Sequence, residues 1–294
     1  MFGAIYRNTV KNLLRSRAFW VAFAVVLVYL FYDGVFVTHY GYMDMETFET
    51  IWDTDPRYEL THSQFIKLMP NLTQGGLLYA MSFFSVIATV LTLNRDYGDR
   101  FFELEKSLGV KMHWYLLARI SALISVCMAF NLLLNTFTAL VYMVTRSGVT
   151  DMPPLDTLAD ALYRILRLNM CLALPCMLFF IVLTYFAGTV FRNGFAGAGF
   201  GLGYALMTLY ISRFVRWNSG DTLQFIAHYL LPVPRYGVER LYSLPGEMSE
   251  EMLEILYEST GYTPTAGLIT LVILFCSPLP FILLSYLRVR KRTI

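Results

Sequence analysis

RDYGDRFFELEKSLGVKMHWYLLAR, residues 95–119, holds five basic and four acidic side chains in 25 positions, and it stands between two long apolar runs at 77–93 and 114–144. Runs of that length and composition read as lipid-solvated helices, so the charged island falls on one side of a membrane as a short helix lying against that surface. Asp96 and Arg100 make an i, i+4 pair of opposite sign and Gly109 is a stop signal, which predicts a helix over 96–108. Phe101, Leu104 and Leu108 then share one face, with Asp99, Arg100, Glu103 and Lys106 beside it. An apolar ridge bordered by charge and turned away from lipid has the makings of a handle for a soluble partner.

The rest of the chain supports the membrane reading. Of 294 residues 56% are hydrophobic and only 15% charged, with mean hydropathy +0.52, too apolar for a soluble domain of this size. Runs at 18–37, 77–93, 114–144, 168–191, 195–211 and 266–287 are each long enough to span hydrocarbon, and no stretch alternates as a barrel strand would. The expected fold is an all-α polytopic membrane protein, one transmembrane domain over 1–294 with six spans. The third run is overlong, so its first turns, carrying Arg119, should protrude from the bilayer.

Six spans place both termini on one side. That side carries 14 of the 23 Lys and Arg and 4 of the 21 Asp and Glu, a net +10 against −8 opposite, which makes it cytoplasmic. Arg146, Arg164, Arg167, Arg213 and Arg216 border the outer ends of spans against this trend. They read as snorkelling side chains, or as a basic rim meeting an anionic substrate.

Residues 1–17 carry Arg7, Lys11 and Arg15 at steps of four, with Ile5, Val10, Leu13 and Leu14 elsewhere, and read as an interfacial helix or a basic anchor for the first span. No small-residue cleavage pattern follows that first apolar run, which suits a retained span. The acidic, aromatic loop 38–74 suggests a folded cap near the headgroups. In the second run Ser82, Ser85, Thr89 and Thr92 form a hydroxyl stripe, and in the third Asn131 and Asn135 continue through Thr138 and Tyr142 on one face. Such polar faces point inward, either lining a pathway or bonding between helices and to their own backbone.

Asn193-Gly194 is turn chemistry for a tight hairpin between the fourth and fifth runs. Gly197 with Gly201, and Gly199 with Gly203, are small-xxx-small pairs that let another helix approach closely, or mark a deformable helix. Residues 212–263 contain two short elements suited to outer re-entrant or interfacial helices, Pro278 and Pro280 should kink the last span, and Arg288, Arg290, Lys291 and Arg292 close the chain as an anchor. The four cysteines, Cys127, Cys171, Cys176 and Cys276, all lie in spans and read as small buried apolar residues.

Catalytic signatures are missing. There is no H-E-x-x-H or G-x-S-x-G, the four histidines are dispersed, and no Gly is followed by Lys, so no P-loop exists. Asp33 is the only acid within any expected span, which counts against an ion-coupled carrier. A membrane enzyme would need a catalytic pair at membrane depth, where only hydroxyls, amides and aromatics stand.

Taken together, an amino-terminal basic helix, six spans, a charged helix after the second, a tight turn after the fourth and short outer helices before the last resemble the permease subunit of type-2 ABC transporters, mostly exporters. The likeness covers nearly the whole chain as architecture. In sequence it rests on 96–119, with an acidic start, Glu103-Leu104 at the centre and Leu-Leu-x-Arg at 116–119; the proline common after the family's coupling helix is replaced by Gly109-Val110. The resemblance implies that Asp99, Arg100, Phe101, Glu103, Leu104, Lys106 and Leu108, within a coupling helix at 95–112, dock on a separate ATP-binding subunit. It implies no cofactor on this chain, with ATP and Mg held by that partner, and a second permease subunit, identical or not, across a central path. Ser82, Ser85, Thr89, Thr92, Asn131 and Asn135 would line that path, and Gly197, Gly199, Gly201 and Gly203 would pack the seam. The implied setting is a bacterial cell membrane, the implied cargo an amphipathic, lipid-like or hydrophobic peptide compound. A membrane sensor or scaffold binding through the outer caps is the alternative; its ligand would leave partner ATP hydrolysis unchanged. A Ser107→Cys variant should react with an impermeant maleimide only in inside-out vesicles, and labelling of intact cells would reverse the topology.

Overall fold

The computed structural model describes residues 2–32, 41–43, 50–52, 76–98, 107, 109–145, 173–217 and 275–291, with isolated positions at 159, 163, 166, 170, 272 and 273. Among them lie seven helices: α1 (Phe2–Arg15), α2 (Arg17–Tyr32), α3 (Gly76–Gly98), α4 (Met112–Thr145), α5 (Leu174–Phe191), α6 (Gly194–Trp217) and α7 (Pro278–Lys291). A short antiparallel pair, β1 (Gly41–Met43) and β2 (Thr50–Trp52), sits in the acidic loop with Tyr42 opposite Ile51. Every one of the six apolar runs carries a helix. By length and composition, two described helical stretches can cross a membrane, Met112–Phe137 and Leu174–Phe191, and α1 with α2 makes a third if that pair is one bent span. These helices are compatible with a membrane protein.

The α1–α2 bend, 65°, has a local cause at Ser16. The Ser16 N–H bonds back to the Leu13 carbonyl at 3.0 Å, its hydroxyl accepts the Phe19 N–H at 3.4 Å, and the Trp20 indole N–H reaches the Leu14 carbonyl at 2.7 Å. One serine thus closes one helix and caps the next. α1 buries Ile5, Thr9 and Leu13, one residue per turn, and keeps Arg7, Lys11 and Arg15 exposed. Its inner face packs on the start of α4, where Ile5 joins Val110, Tyr115 and Ala118. One side of the first turns of α4, a helix of 34 residues and about 50 Å, is thus covered by α1.

The main core brings Phe19, Val26 and Leu30 of α2 onto Met81, Phe84 and Ala88 of α3, with Leu123, Cys127 and Leu134 of α4 and Cys176, Met177 and Ile181 of α5. Phe130 completes an aromatic knot, its ring 4.7 Å from Phe23 and 5.2 Å from Phe19 between centroids. Cys127 and Cys176 are buried as expected, whereas Cys276 is exposed. Outward faces stay apolar, with Val21, Val25 and Val28 on α2, Phe195 and Phe200 on α6, and Leu279 and Leu283 on α7 all exposed. A surface of that kind suits lipid better than water.

α5 starts with Pro175 in its first turn, where a missing N–H costs nothing. Its end differs from the expected Asn-Gly turn: Arg192 is the left-handed residue, φ 55°, and Asn193 instead caps α6 by accepting the Phe195 N–H at 2.8 Å. In the last run, helical residues at 275–276 precede a turn at Ser277 and Pro278 opens α7, so the break falls where the prolines predict it.

The glycines of α6 divide into two faces. A Cβ on Gly197 would lie 2.6 Å from the Thr184 carbonyl oxygen of α5, and one on Gly201 would lie 2.3 Å from the Thr184 hydroxyl and 2.9 Å from a Val86 methyl of α3. Gly199 and Gly203 meet nothing within 4 Å. Gly197→Ala should therefore lower the thermal unfolding midpoint in detergent, at about 1–3 kcal/mol for forced overpacking. Gly199→Ala and Gly203→Ala should raise it, by up to about 1 kcal/mol, through helix propensity alone.

Candidate functional site

The described polar chemistry concentrates where the charged island is rooted. α3 runs on through Asp96 to Gly98, so Asp96 ends a long helix and does not begin a short one. It forms a buried ion pair through one carboxylate oxygen with Arg119, two turns into α4, and its expected partner Arg100 lies outside the described residues. Asp96 is 0% and Arg119 3% exposed. Arg119 spreads its guanidinium further: Nη1 donates to the Thr9 hydroxyl of α1 at 2.7 Å, and Nε donates to the Tyr115 hydroxyl at 3.2 Å. The Thr9 hydroxyl donates in turn to the Ile5 carbonyl at 2.8 Å. Three helices meet on one cation.

The physical reason is desolvation. A buried guanidinium needs a counter-charge and acceptors for its N–H groups, and Asp96, Thr9 and Tyr115 supply them. Because Asp96 ends α3 and Arg119 lies near the start of α4, the pair ties together the two roots of segment 99–108. At the far end of that segment Gly109 adopts φ 75°, the left-handed conformation expected of a helix stop.

The same end of α3 also grips the α5–α6 turn. The Tyr97 hydroxyl donates to the Gly188 carbonyl at 3.0 Å, and that carbonyl also accepts the Asn193 N–H at 3.1 Å. Asn94 lies so close that a Cβ on Gly194 would sit 2.1 Å from its Oδ1, so a side chain there would have to displace that of Asn94. Likewise Gly188 admits Leu93, whose methyl would be 2.6 Å from an added Cβ.

Of the expected site residues, Asp99, Arg100, Phe101, Glu103, Leu104, Lys106 and Leu108 lie outside the described residues, as does Cys171. So do the side chains of Arg146, Arg164, Arg167, Arg213 and Arg216. Ser82, Ser85, Thr89, Thr92, Asn131 and Asn135 are all buried. Three of the hydroxyls bond their own helix: Ser85 to the Ser82 carbonyl at 2.8 Å, Thr89 to that of Ser85 at 2.7 Å and Thr92 to that of Ala88 at 3.0 Å. Thr92 also reaches a cleft of about 300 Å³ that Asn12, Arg15, Ser16, Arg95 and Arg119 line. Among the described residues no group of three His, Cys, Asp or Glu could hold a metal ion.

Sequence reasoning missed the Asp96–Arg119 pair, although a signal was present. Arg119 is a lone cation inside an otherwise apolar helix, and such a residue requires a buried acid within reach of its helix end. No protein-family model matches this chain, and no curated protein matches its sequence.

Asp96→Asn should strand a buried guanidinium and cost about 3–5 kcal/mol, read as unfolding of the full chain in detergent. Replacing both partners, Asp96→Leu with Arg119→Met, should recover most of that loss. Simple additivity of the two single changes would mean that the charges do not couple.

Proposed function

We propose that this chain is the membrane-spanning permease subunit of an ABC exporter, with six spans and both termini cytoplasmic. The observation carrying this reading is that charged segment 99–108 is held at its root by a buried ion pair between the two helices that flank it. A handle must be rigidly attached to what it moves. Here a push on segment 99–108 would reach α3 and α4 directly, α1 through Thr9, and the α5–α6 turn through Tyr97.

In this reading the motor is a separate ATP-binding subunit carrying ATP and Mg. Its closure on nucleotide pushes the segment, and the attached helices change the side to which the pathway opens. This chain performs no bond chemistry. Phe101, Leu104 and Leu108 form the docking ridge, with Asp99, Arg100, Glu103 and Lys106 as its charged border. A second permease subunit completes the path, and the cargo is amphipathic, lipid-like or a hydrophobic peptide, moved outward. The hydroxyl stripe supports this reading less than the handle does, because hydroxyls that bond their own backbone need no wet path.

Affinity purification of the tagged full chain from its own membranes should bring down a P-loop ATPase with ATP hydrolysis. A triple variant, Arg100→Glu, Glu103→Arg and Leu104→Asp, should insert normally and lose both. A chain that retains its ATPase after those changes, or that never co-purifies with one, sinks the proposal.

A further inference from the structure

Helix α1 has three faces, and its packing on α4 uses one of them. Ile5, Thr9 and Leu13 are buried against the bundle, while Arg7, Lys11 and Arg15 form an exposed basic row. Between those two faces fall Gly3, Val10 and Leu14, at i, i+7 and i+11, with Leu14 exposed and Val10 half-buried. The basic row is not answered by acids. No Asp or Glu occurs before Asp33, and among the described residues none of Arg7, Lys11, Arg15 and Arg17, all exposed, makes an ion pair or a side-chain hydrogen bond.

Two tryptophans mark the level at which α1 lies. At its start the Phe2 ring meets Trp114 edge-on, 6.1 Å between centroids, and past its end the Trp20 indole N–H donates to the Leu14 carbonyl at 2.7 Å. These indoles stand in the first turns of α4 and α2 and are 49% and 46% exposed. Half-exposed indoles at helix starts settle at the headgroup layer, where the ring is apolar and its N–H can be bonded. With one at each end, α1 runs along that layer. Its 65° bend from α2 agrees, because a helix inclined so far from a span lies closer to the membrane plane than to the normal.

Charge and depth together select the occupant. An acidic protein segment would answer the cations alone, whereas a bilayer surface supplies anionic headgroups for the basic row and hydrocarbon for Val10 and Leu14 at the same depth. We propose that α1 is a docking surface for anionic phospholipids, which the chain gathers around the start of α4. Arg7, Lys11 and Arg15 attract the headgroups, and on the inner face Thr9 ties the docked helix to Arg119. The inference requires a membrane-embedded chain and stands apart from the transport reading, with no need of an ATPase.

The test uses the full chain in nanodiscs of mixed phosphatidylcholine and phosphatidylglycerol at low salt, with the lipids it retains on extraction counted by native mass spectrometry. Phosphatidylglycerol should be enriched over phosphatidylcholine. Raising salt to about 1 M, where screening shortens to about 3 Å, should erase the enrichment. Arg7→Gln, Lys11→Gln and Arg15→Gln should each lower it up to about fivefold, the effect of removing one cation beside an anionic surface, and Lys11→Arg should preserve it. All three positions are exposed, so these changes leave the packed face of α1 intact. Arg192→Gln with Arg288→Gln removes two exposed cations from other elements and should cost far less than Arg7→Gln with Lys11→Gln. The proposal is overturned if the chain retains the two lipids in the proportion supplied, if the triple α1 variant keeps the enrichment, or if the Arg192 and Arg288 changes remove as much of it. Binding of polyglutamate through the α1 cations without lipid enrichment would assign the surface to an acidic protein segment and overturn it as well.

Discussion

A guanidinium buried among apolar helices fixes the arrangement of this molecule. Arg119 is nearly inaccessible to water, and a charge in that position is tolerable only with an acid and several acceptors around it. Asp96, Thr9 and Tyr115 provide them from α3, α1 and α4 itself. None of these groups can move far without uncovering a charge, so the start of α4, the end of α3 and the middle of α1 hold one another in register. The ion pair need not add net stability over an apolar alternative to have this effect. Its consequence is positional.

The end of α3 is consequently the meeting point of the described structure. On one side Asp96 faces α4 and α1; on the other, Tyr97 and Asn94 face the α5–α6 turn, where Gly188 and Gly194 leave room for them. One helix turn thus touches both halves of the bundle. Displacement of such a turn cannot be absorbed by a single loop, which is the property that the proposed function asks of it.

Close packing of α6 on α5 explains half of its glycines. Gly197 and Gly201 lie against Thr184, Gly188 and Val86, while Gly199 and Gly203 look outward among exposed aromatic and aliphatic side chains such as Phe200 and Leu206. The hydroxyls of α3 answer a related need: bonded to their own backbone, they occupy little volume and bring no unsatisfied donor into the core. Both are solutions to packing helices at short range in an apolar medium.

Sequence alone determined where the helices are. Runs such as 168–191 and 195–211 are too apolar and too long for anything else, and a backbone with no water to bond must satisfy itself locally, so each became a helix. It also located the left-handed glycine at 109, because a backbone preference of that kind acts on its own neighbours. Tertiary structure alone decided the partners. Asp96 meets Arg119, 23 residues away, and Arg192 took the left-handed position that Asn193-Gly194 advertised. Which glycine pair meets a neighbour, and that Arg119 lies under α1, were equally invisible. Local periodicity reports the energy of a turn with itself, whereas the pairing of a buried charge depends on which residues the whole bundle places beside it.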